Sequence, residues 1–74
     1  MQPGESLLLA AKQAAVLCGL SPATWHRRNS DGSIPAAVRI GGAVRWRRDD
    51  LERWAAMGCP RRAEFMARLA AEKN

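Results

Sequence analysis

With 74 residues and a mass of 8.1 kDa, the chain has room for one domain with one small core and no room for a separate substrate domain. Its longest apolar run, residues 7–11, is too short to span a membrane or to serve as the apolar part of a signal peptide. Two cysteines and one histidine are too few to supply the four ligands of a structural zinc site. The net charge is +5 with an isoelectric point near 10.6, so we expect a soluble, cytoplasmic protein with a polyanionic partner, two reduced cysteines, no cofactor and no metal.

The N-terminal part of the chain predicts a tail followed by a first helix. Residues 1–6 are polar and contain proline and glycine, so we expect a flexible N-terminal tail before a short apolar stretch. A helix is expected over residues 11–18, although Ala10 stands where a capping side chain is usual, and Gly19 is expected to end it. The apolar side of this helix is expected to consist of Ala14, Ala15, Leu17 and Cys18.

A second helix is predicted to begin about three residues after the first one ends. Ser21 can accept hydrogen bonds as the N-cap, and Pro22 suits the first helical position because it gives up no needed donor there. The helix is expected to run to Ser30 and to end by the Asp31-Gly32 pair. Two helices joined by a short glycine-containing turn form a helix-turn-helix unit.

A β-hairpin is predicted around the Gly41-Gly42 pair, because apolar residues and arginines alternate with a period of two on both sides of it. We expect the inward face of this hairpin to carry Val38, Ile40, Val44 and Trp46. The opposite face is then expected to carry Arg39, Arg45 and Arg47.

Two further helices are predicted after the hairpin. Asp49 is expected to cap the third helix, with Glu52 as its capping-box partner, and Gly58 is expected to end it. The apolar face of this helix is expected to consist of Leu51, Trp54 and Ala55. A fourth helix is expected from about Pro60, and its apolar stripe, which either closes the core or forms a dimer contact, consists of Phe65, Met66, Leu69 and Ala70. The fold class is therefore mostly α with a small β-hairpin.

Four short motifs follow one another in a fixed order over residues 8–58. They are AA-x-LCGLS-x-x-T from Ala14 to Thr24, Gly32-x-Ile34-Pro35, Val38-Arg39-Ile40-Gly41, and Arg45-Trp46-Arg47 followed by Asp50-Leu51-Glu52-x-Trp54. In these motifs the chain resembles the excisionase and AlpA-like family of phage and mobile-element regulators, which is related to MerR-type winged helix-turn-helix domains. Gln13 departs from the family pattern, which usually has Glu. Arg28 departs as well, since it stands where an aliphatic core residue is usual, and we expect its stem to cover the core while its head reaches solvent.

The resemblance implies a winged helix-turn-helix fold, with residues 7–74 as a single DNA-binding domain that has an additional C-terminal helix from about residue 60. It also implies sequence-specific binding of double-stranded DNA by an excisionase, that is a recombination directionality factor, or by a transcriptional regulator. Integrase is an implied partner, and cooperative self-association on repeated sites is implied as well. An alternative is a protein-interaction adaptor whose arginine-rich face binds an integrase or another acidic partner. We expect no enzymatic activity, because the sequence offers no catalytic constellation.

In a helix-turn-helix protein the second helix lies in the major groove. The residues of this chain that we expect there are Ser21, Pro22, Ala23, Thr24, His26, Arg27 and Ser30. Arg27 suits a bidentate pair with guanine, whereas His26 either reaches a base or is merely solvated. Ser21 and Thr24 suit a phosphate at the helix N-terminus, although capping alone also explains Ser21.

The basic charge is concentrated where this interface is expected. Residues 27–48 hold six arginines against one acid, Asp31, which accounts for the whole positive surplus. The hairpin is expected to act as a wing that contacts phosphates or the minor groove, and the alternative is a solvated face. The wing residues expected to make these contacts are Arg39, Gly41, Gly42, Arg45 and Arg47. The three tryptophans are expected in the core and not in base stacking.

Overall fold

The protein forms four helices and a small antiparallel sheet. The computed structural model describes residues 6–72, so the tail predicted over residues 1–6 lies outside the described residues except for Ser6. In chain order the elements are β1 (Leu8–Leu9), α1 (Ala11–Leu17), α2 (Pro22–Asp31), β2 (Val38–Ile40), β3 (Ala43–Arg47), α3 (Arg48–Ala56) and α4 (Arg62–Glu72). The sheet order is β1-β3-β2. This architecture confirms the predicted winged helix-turn-helix fold.

Membrane-spanning helices are absent from residues 6–72, where no helix is both long and apolar enough to cross a bilayer.

Helix α1 begins without a capping side chain and ends at a glycine. The Gln13 side chain accepts a hydrogen bond from the backbone N–H of Ala10 at 3.0 Å, so it satisfies the cap residue from inside the helix. At the other end, the Leu20 N–H donates to the Ala15 carbonyl at 2.8 Å across Gly19, whose φ of +73° is the left-handed region that favours glycine. The turn into α2 is therefore tight.

The predicted apolar side of α1 is only partly correct. Ala14 and Ala15 are fully buried and Cys18 is half-buried against the core, but Leu17 is 46% exposed. The side of α1 that packs inward is therefore formed mainly by its two small alanines. Leu17 lies beyond that contact.

Helix α2 has the boundaries that its capping residues predict. The Ser21 hydroxyl accepts a hydrogen bond from the Thr24 N–H at 3.1 Å, and Pro22 is the first helical residue. Gly32 ends the helix with φ +79°. The prediction of a second helix between Ser21 and the Asp31-Gly32 pair is confirmed.

The register of the hairpin contradicts the predicted division of its faces. Strands β2 and β3 pair so that Ile40 lies opposite Ala43 and Val38 opposite Arg45, with a two-residue turn between the strands. Residues directly opposite each other in an antiparallel pair point to the same face. Val38 and Ile40 therefore share the outer face with Arg45 and Arg47.

The inward face of the hairpin is correspondingly different from the prediction. Arg39 lies opposite Val44 and so shares the face of Val44 and Trp46, the two residues that contact the core. The prediction placed even-numbered residues of both strands on the inward face. With a turn of two residues, even-numbered residues of β2 lie opposite odd-numbered residues of β3, so this prediction was wrong.

Strand β1 was not predicted. Leu8 pairs with Arg47 and Leu9 with Trp46, and the Arg48 N–H donates to the Leu7 carbonyl at 2.8 Å. A strand of two residues is too short to show an alternation of apolar and polar residues. It is recognised only by its pairing with β3.

The start of α3 also differs from the prediction, because β3 runs directly into this helix. Arg47 is the N-cap and makes no capping bond through its side chain, so the prediction of Asp49 as the cap was wrong. Asp49 lies in the first turn, where a carboxylate favours the helix dipole. Glu52 pairs with Arg48 at 3.2 Å and not with a cap residue.

The core is built around the three tryptophans, and their predicted burial is confirmed. The buried apolar residues are Leu9, Ala14, Ala15, Trp25, Ile34, Trp46, Leu51, Trp54 and Phe65.

The apolar faces predicted for α3 and α4 are only partly buried. In α3, Leu51 and Trp54 are buried but Ala55 is exposed. Of the stripe predicted for α4, Phe65 is fully buried and Leu69 packs against the core, while Met66 and Ala70 are exposed. Helix α4 therefore closes the core through one side only.

Candidate nucleic-acid interface

Burial of Trp25 fixes which side of α2 faces solvent. Its side chain has no exposed surface, and Ala23, His26, Arg27 and Ser30 on the same helix are all exposed. The cap residue Ser21 and the first residue, Pro22, are exposed as well, and Thr24 is half-buried. The structure thus places all seven predicted recognition residues together along one accessible side of α2 and its N-terminus.

Short-range hydrogen bonds organise the N-terminal end of this face. The Ser21 hydroxyl donates to the Thr24 hydroxyl oxygen at 2.9 Å, in addition to accepting the Thr24 N–H. The Arg27 Nη2 atom lies 3.5 Å from the same Thr24 oxygen, so the guanidinium is directed along the helix toward its N-terminus. The structure shows the capping role of Ser21, and contact of Ser21 and Thr24 with a phosphate stays a prediction.

The C-terminal half of the face is organised differently. The Ser30 hydroxyl donates to the carbonyl oxygen of His26 at 3.1 Å, which leaves the oxygen of Ser30 as an acceptor toward solvent. His26 is exposed. Both side chains are therefore accessible to a partner that approaches α2 from its open side.

The wing, which we define as residues 38–47, carries its arginines on two faces. Arg45 and Arg47 lie on the outer face, where Arg45 is half-buried and its Nη1 donates to the Val44 carbonyl at 2.8 Å. Arg39 is exposed on the strand at the edge of the sheet. The wing thus presents cations on both sides of its Gly41-Gly42 tip and does not form a single basic face.

Ile40 was predicted to face inward, but it belongs to this exposed surface. It is 55% exposed beside the glycine tip and shares the outer face with Arg45 and Arg47. The sequence could have revealed this position through the length of the turn. If Gly41 and Gly42 alone form the turn, Ile40 lies opposite Ala43 and on the same face as Arg45.

The arginines of this surface lack carboxylate partners. Within residues 6–72 the ion pairs are Arg28–Asp31, Arg48–Glu52, Arg53–Glu72 and Arg68–Glu64. Arg27, Arg39, Arg45 and Arg47 take part in none of them. Seven cations of the described residues take part in none of these pairs, and four of them lie on α2 and the wing, where their charge is available to a polyanion. The other three are Lys12, Arg61 and Arg62.

Arg28 is also exposed on α2, but it differs from the arginines of this surface because it has a carboxylate partner. Its side chain is 53% exposed, and its Nη1 lies 3.8 Å from an Asp31 carboxylate oxygen. It borders a cavity of about 210 Å³ that is also lined by Leu20, Ser33, Ile34, Trp54 and Cys59. Its guanidinium therefore reaches solvent, and the prediction that its stem covers the core stays a prediction.

Two titratable groups near these elements have shifted pKa values. Hydrogen bonding from Ser33, and more weakly the charge of Arg28, hold the pKa of the exposed Asp31 carboxyl below its ordinary value. Burial raises the pKa of the Cys18 thiol. No group of three or more His, Cys, Asp or Glu side chains that could hold a metal occurs in the part of the chain that the structure describes.

Comparison with known proteins identifies the part of the chain that carries this surface. A family model described as a helix-turn-helix domain matches residues 8–58, which include α1, α2, the wing and α3. No curated protein and no solved structure matches the chain.

Proposed function

Given that the chain belongs to the helix-turn-helix domain family and is therefore a DNA-binding protein, we propose that it recognises a specific duplex sequence as an excisionase, that is a recombination directionality factor, or as an AlpA-like transcriptional regulator of a phage or mobile element. We propose further that residues 7–74 act as one DNA-binding domain without enzymatic activity. The motifs of residues 14–54 that resemble the excisionase and AlpA-like family support the finer assignment.

The observation that carries the proposal is the position of four arginines that take part in no ion pair. Arg27 lies on the exposed side of α2, and Arg39, Arg45 and Arg47 lie on the wing. A helix of this kind fits the major groove, and a cationic hairpin beside it fits the adjacent phosphates or the minor groove. The two elements therefore have different tasks: Arg27 and His26 read base edges, while the wing arginines supply affinity that does not depend on sequence.

The division of labour is tested by two variants with the same loss of charge. On the specific site, Arg27→Gln is expected to cost about 1–3 kcal/mol of binding energy and to leave most of the affinity for random duplex. Arg45→Gln is expected to weaken specific and random DNA alike. Arg68→Gln is the matched control, because its guanidinium pairs with Glu64 on α4. Equal losses of Arg27→Gln and Arg45→Gln on both DNAs would refute the assignment.

The specific site is found by footprinting on DNA that flanks the protein's own gene. This experiment also separates the two roles. Protected repeats beside an integrase gene, together with integrase-dependent excision, support the directionality factor. Protection of a promoter that changes transcription without integrase supports the regulator. A gel-shift series on one, two and three repeats then measures the self-association that the resemblance implies.

Exposed apolar side chains favour a second candidate function, that of a protein-interaction adaptor. Val16 is 67% exposed and Leu17 46% on α1, and Met66 is 47% exposed on α4. Contact with another protein would remove this apolar surface from water. In this function the basic surface and α4 bind an integrase or another acidic protein. The two candidates differ in one measurement, because an adaptor shows no affinity for duplex DNA at moderate salt.

A further inference from the structure

Helix α4 lies outside the region that matches the helix-turn-helix family, yet its first residue, Arg62, and the preceding Arg61 hold the C-terminal end of α2. The Arg62 N–H donates to the Gly32 carbonyl at 2.9 Å, and the Arg61 Nη2 donates to the Asp31 carbonyl at 2.9 Å. The Arg62 side chain makes three further bonds, from Nε to the Ile34 carbonyl at 3.0 Å and from Nη2 to Asn29 O at 3.0 Å and Asn29 Oδ1 at 2.8 Å.

Three of these acceptors, the carbonyls of Asn29, Asp31 and Gly32, belong to the end of α2, where a helix leaves its carbonyls unsatisfied. The last carbonyls of an α-helix have no partner within the helix and carry the negative end of its dipole, so a cation that donates to them is favoured twice. A guanidinium can satisfy several fixed oxygens at once through its planar fork, which an ammonium cannot do with the same geometry. Arg62 is half-buried, so these bonds are partly shielded from water.

The two ends of α2 are therefore fixed by different parts of the chain. Ser21 and Thr24 fix the N-terminal end from within the helix-turn-helix unit. The C-terminal end is fixed from α4, and α4 is itself held by the fully buried Phe65. The peptide that leads into α4 is held as well, because the Trp54 Nε1 donates to the Pro60 carbonyl at 2.8 Å.

We propose that Arg62 is a positioning residue for DNA recognition. By holding the end of α2 it sets the angle at which the exposed residues from Ser21 to Ser30 enter the groove, although its own bonds are directed to protein oxygens and not to DNA. This inference rests on the proposed DNA-binding function and adds α4 to the recognition surface as its support. A residue that only stabilises the fold has no such effect on the specificity of the folded protein.

The test compares Arg62→Gln with Arg68→Gln, which removes the same charge from the same helix but breaks only a surface pair with Glu64. Affinities for the footprinted site and for a random duplex are measured at a temperature where circular dichroism shows each variant folded. Both variants are expected to lose the same affinity for random DNA. Arg62→Gln is expected to lose about tenfold more on the specific site, and an equal ratio of specific to random affinity in the two variants would overturn the proposal.

Asn29→Ala gives a second test that leaves the charge unchanged. It removes the Oδ1 acceptor of Arg62 and is expected to reduce specific binding in the same direction by a smaller factor. If Asn29 acts through Arg62, the double variant loses no more than Arg62→Gln alone. Additive losses would show that the two residues act separately and would contradict the proposed coupling.

Amide hydrogen exchange tests the inference without DNA, so its failure is distinguishable from failure of the proposed function. In Arg62→Lys, which keeps the charge, the amides of Gly32 and Ser33 are expected to exchange at least several-fold faster, while the Thr24 amide is unchanged. Unchanged exchange at Gly32 and Ser33 would overturn the proposal. Absence of duplex binding by the wild-type protein would refute the proposed function and with it any role of Arg62 in recognition, whatever the exchange rates show.

Discussion

The rings of Trp25 and Trp46 pack edge to face at the centre of the core, with centroids 5.6 Å apart and planes at 74°. Both side chains are almost completely buried, but their indole N–H groups differ. Trp46 donates to the Pro35 carbonyl at 2.9 Å, whereas the Trp25 N–H has no hydrogen-bond partner among the residues that the structure describes. Substitution of Trp25 therefore tests the contribution of ring packing to stability, whereas substitution of Trp46 tests ring packing together with a buried hydrogen bond.

We expect Trp46→Phe to lower the free energy of unfolding more than Trp25→Phe. Both changes remove the same ring volume, but only Trp46→Phe leaves a buried acceptor, the Pro35 carbonyl, without its donor, at an additional cost of about 1–3 kcal/mol. Urea unfolding followed by far-ultraviolet circular dichroism measures both variants under one condition. A larger loss for Trp25→Phe would show that its indole N–H is engaged after all.

The hydrogen bond from the Ser33 hydroxyl lowers the pKa of Asp31 and so makes the stability of the protein depend on pH. Because the folded pKa lies below the ordinary value of 3.8, ionised Asp31 stabilises the folded protein above that pH, and the stabilisation is lost as the pH falls through the folded pKa. Ser33→Ala removes the hydroxyl donor and is expected to raise the pKa of Asp31 toward its ordinary value, as measured by NMR titration of the carboxyl carbon. Ser30→Ala, the control, is expected to leave this titration unchanged.

At the scale of secondary-structure elements, local chemistry predicted the helices, and contacts distant in sequence decided the rest. Ser21-Pro22 and Gly32 mark the ends of α2 because caps act within a few residues. Strand β1 and the cap of α3 depend on pairing with β3, which residues 7–9 and Asp49 do not reveal. The exposed face of α2 could be predicted from the expected burial of Trp25, whereas the outer position of Ile40 could be assigned only from the strand register. The contacts of Arg61 and Arg62 with α2 have no local signal.

The register predicts that the two half-buried valines of the wing differ in their contribution to stability. Val44 packs against the core on the face of Trp46, and Val38 lies on the outer face. Val44→Ala is therefore expected to lower the free energy of unfolding by about 1 kcal/mol more than Val38→Ala, because only Val44 loses core contacts. Chemical denaturation of the two matched variants measures this. Equal losses would contradict the assignment of the two valines to different faces.

For the whole molecule, the relevant property is the distribution of charge between paired and unpaired arginines. Arg28, Arg48, Arg53 and Arg68 each pair with a carboxylate, and the four unpaired arginines of α2 and the wing lie apart from these pairs. In the proposed interface, these four are the arginines that gain an anionic partner when the protein binds DNA. We therefore expect the number of neutralised phosphates to follow these four arginines and not the net charge of +5.

We expect the logarithm of the DNA-binding constant to fall with the logarithm of salt concentration at a slope of roughly −4, since four arginines neutralise about four phosphates. Arg45→Gln should make the slope shallower by about 1, and Arg68→Gln should leave it unchanged. Fluorescence anisotropy with a labelled duplex at several salt concentrations gives these slopes. A wild-type slope near −1 would contradict the interface.

The central place of β3 in the sheet has a consequence for the order of folding. β3 meets β2 across a turn of two residues, but it meets β1 about forty residues earlier in the chain. The entropy lost on closing a loop grows with its length, so the hairpin can form early, whereas Leu8 and Leu9 join late. Substitutions in the hairpin turn should then slow folding, while substitutions of Leu9 should mainly accelerate unfolding.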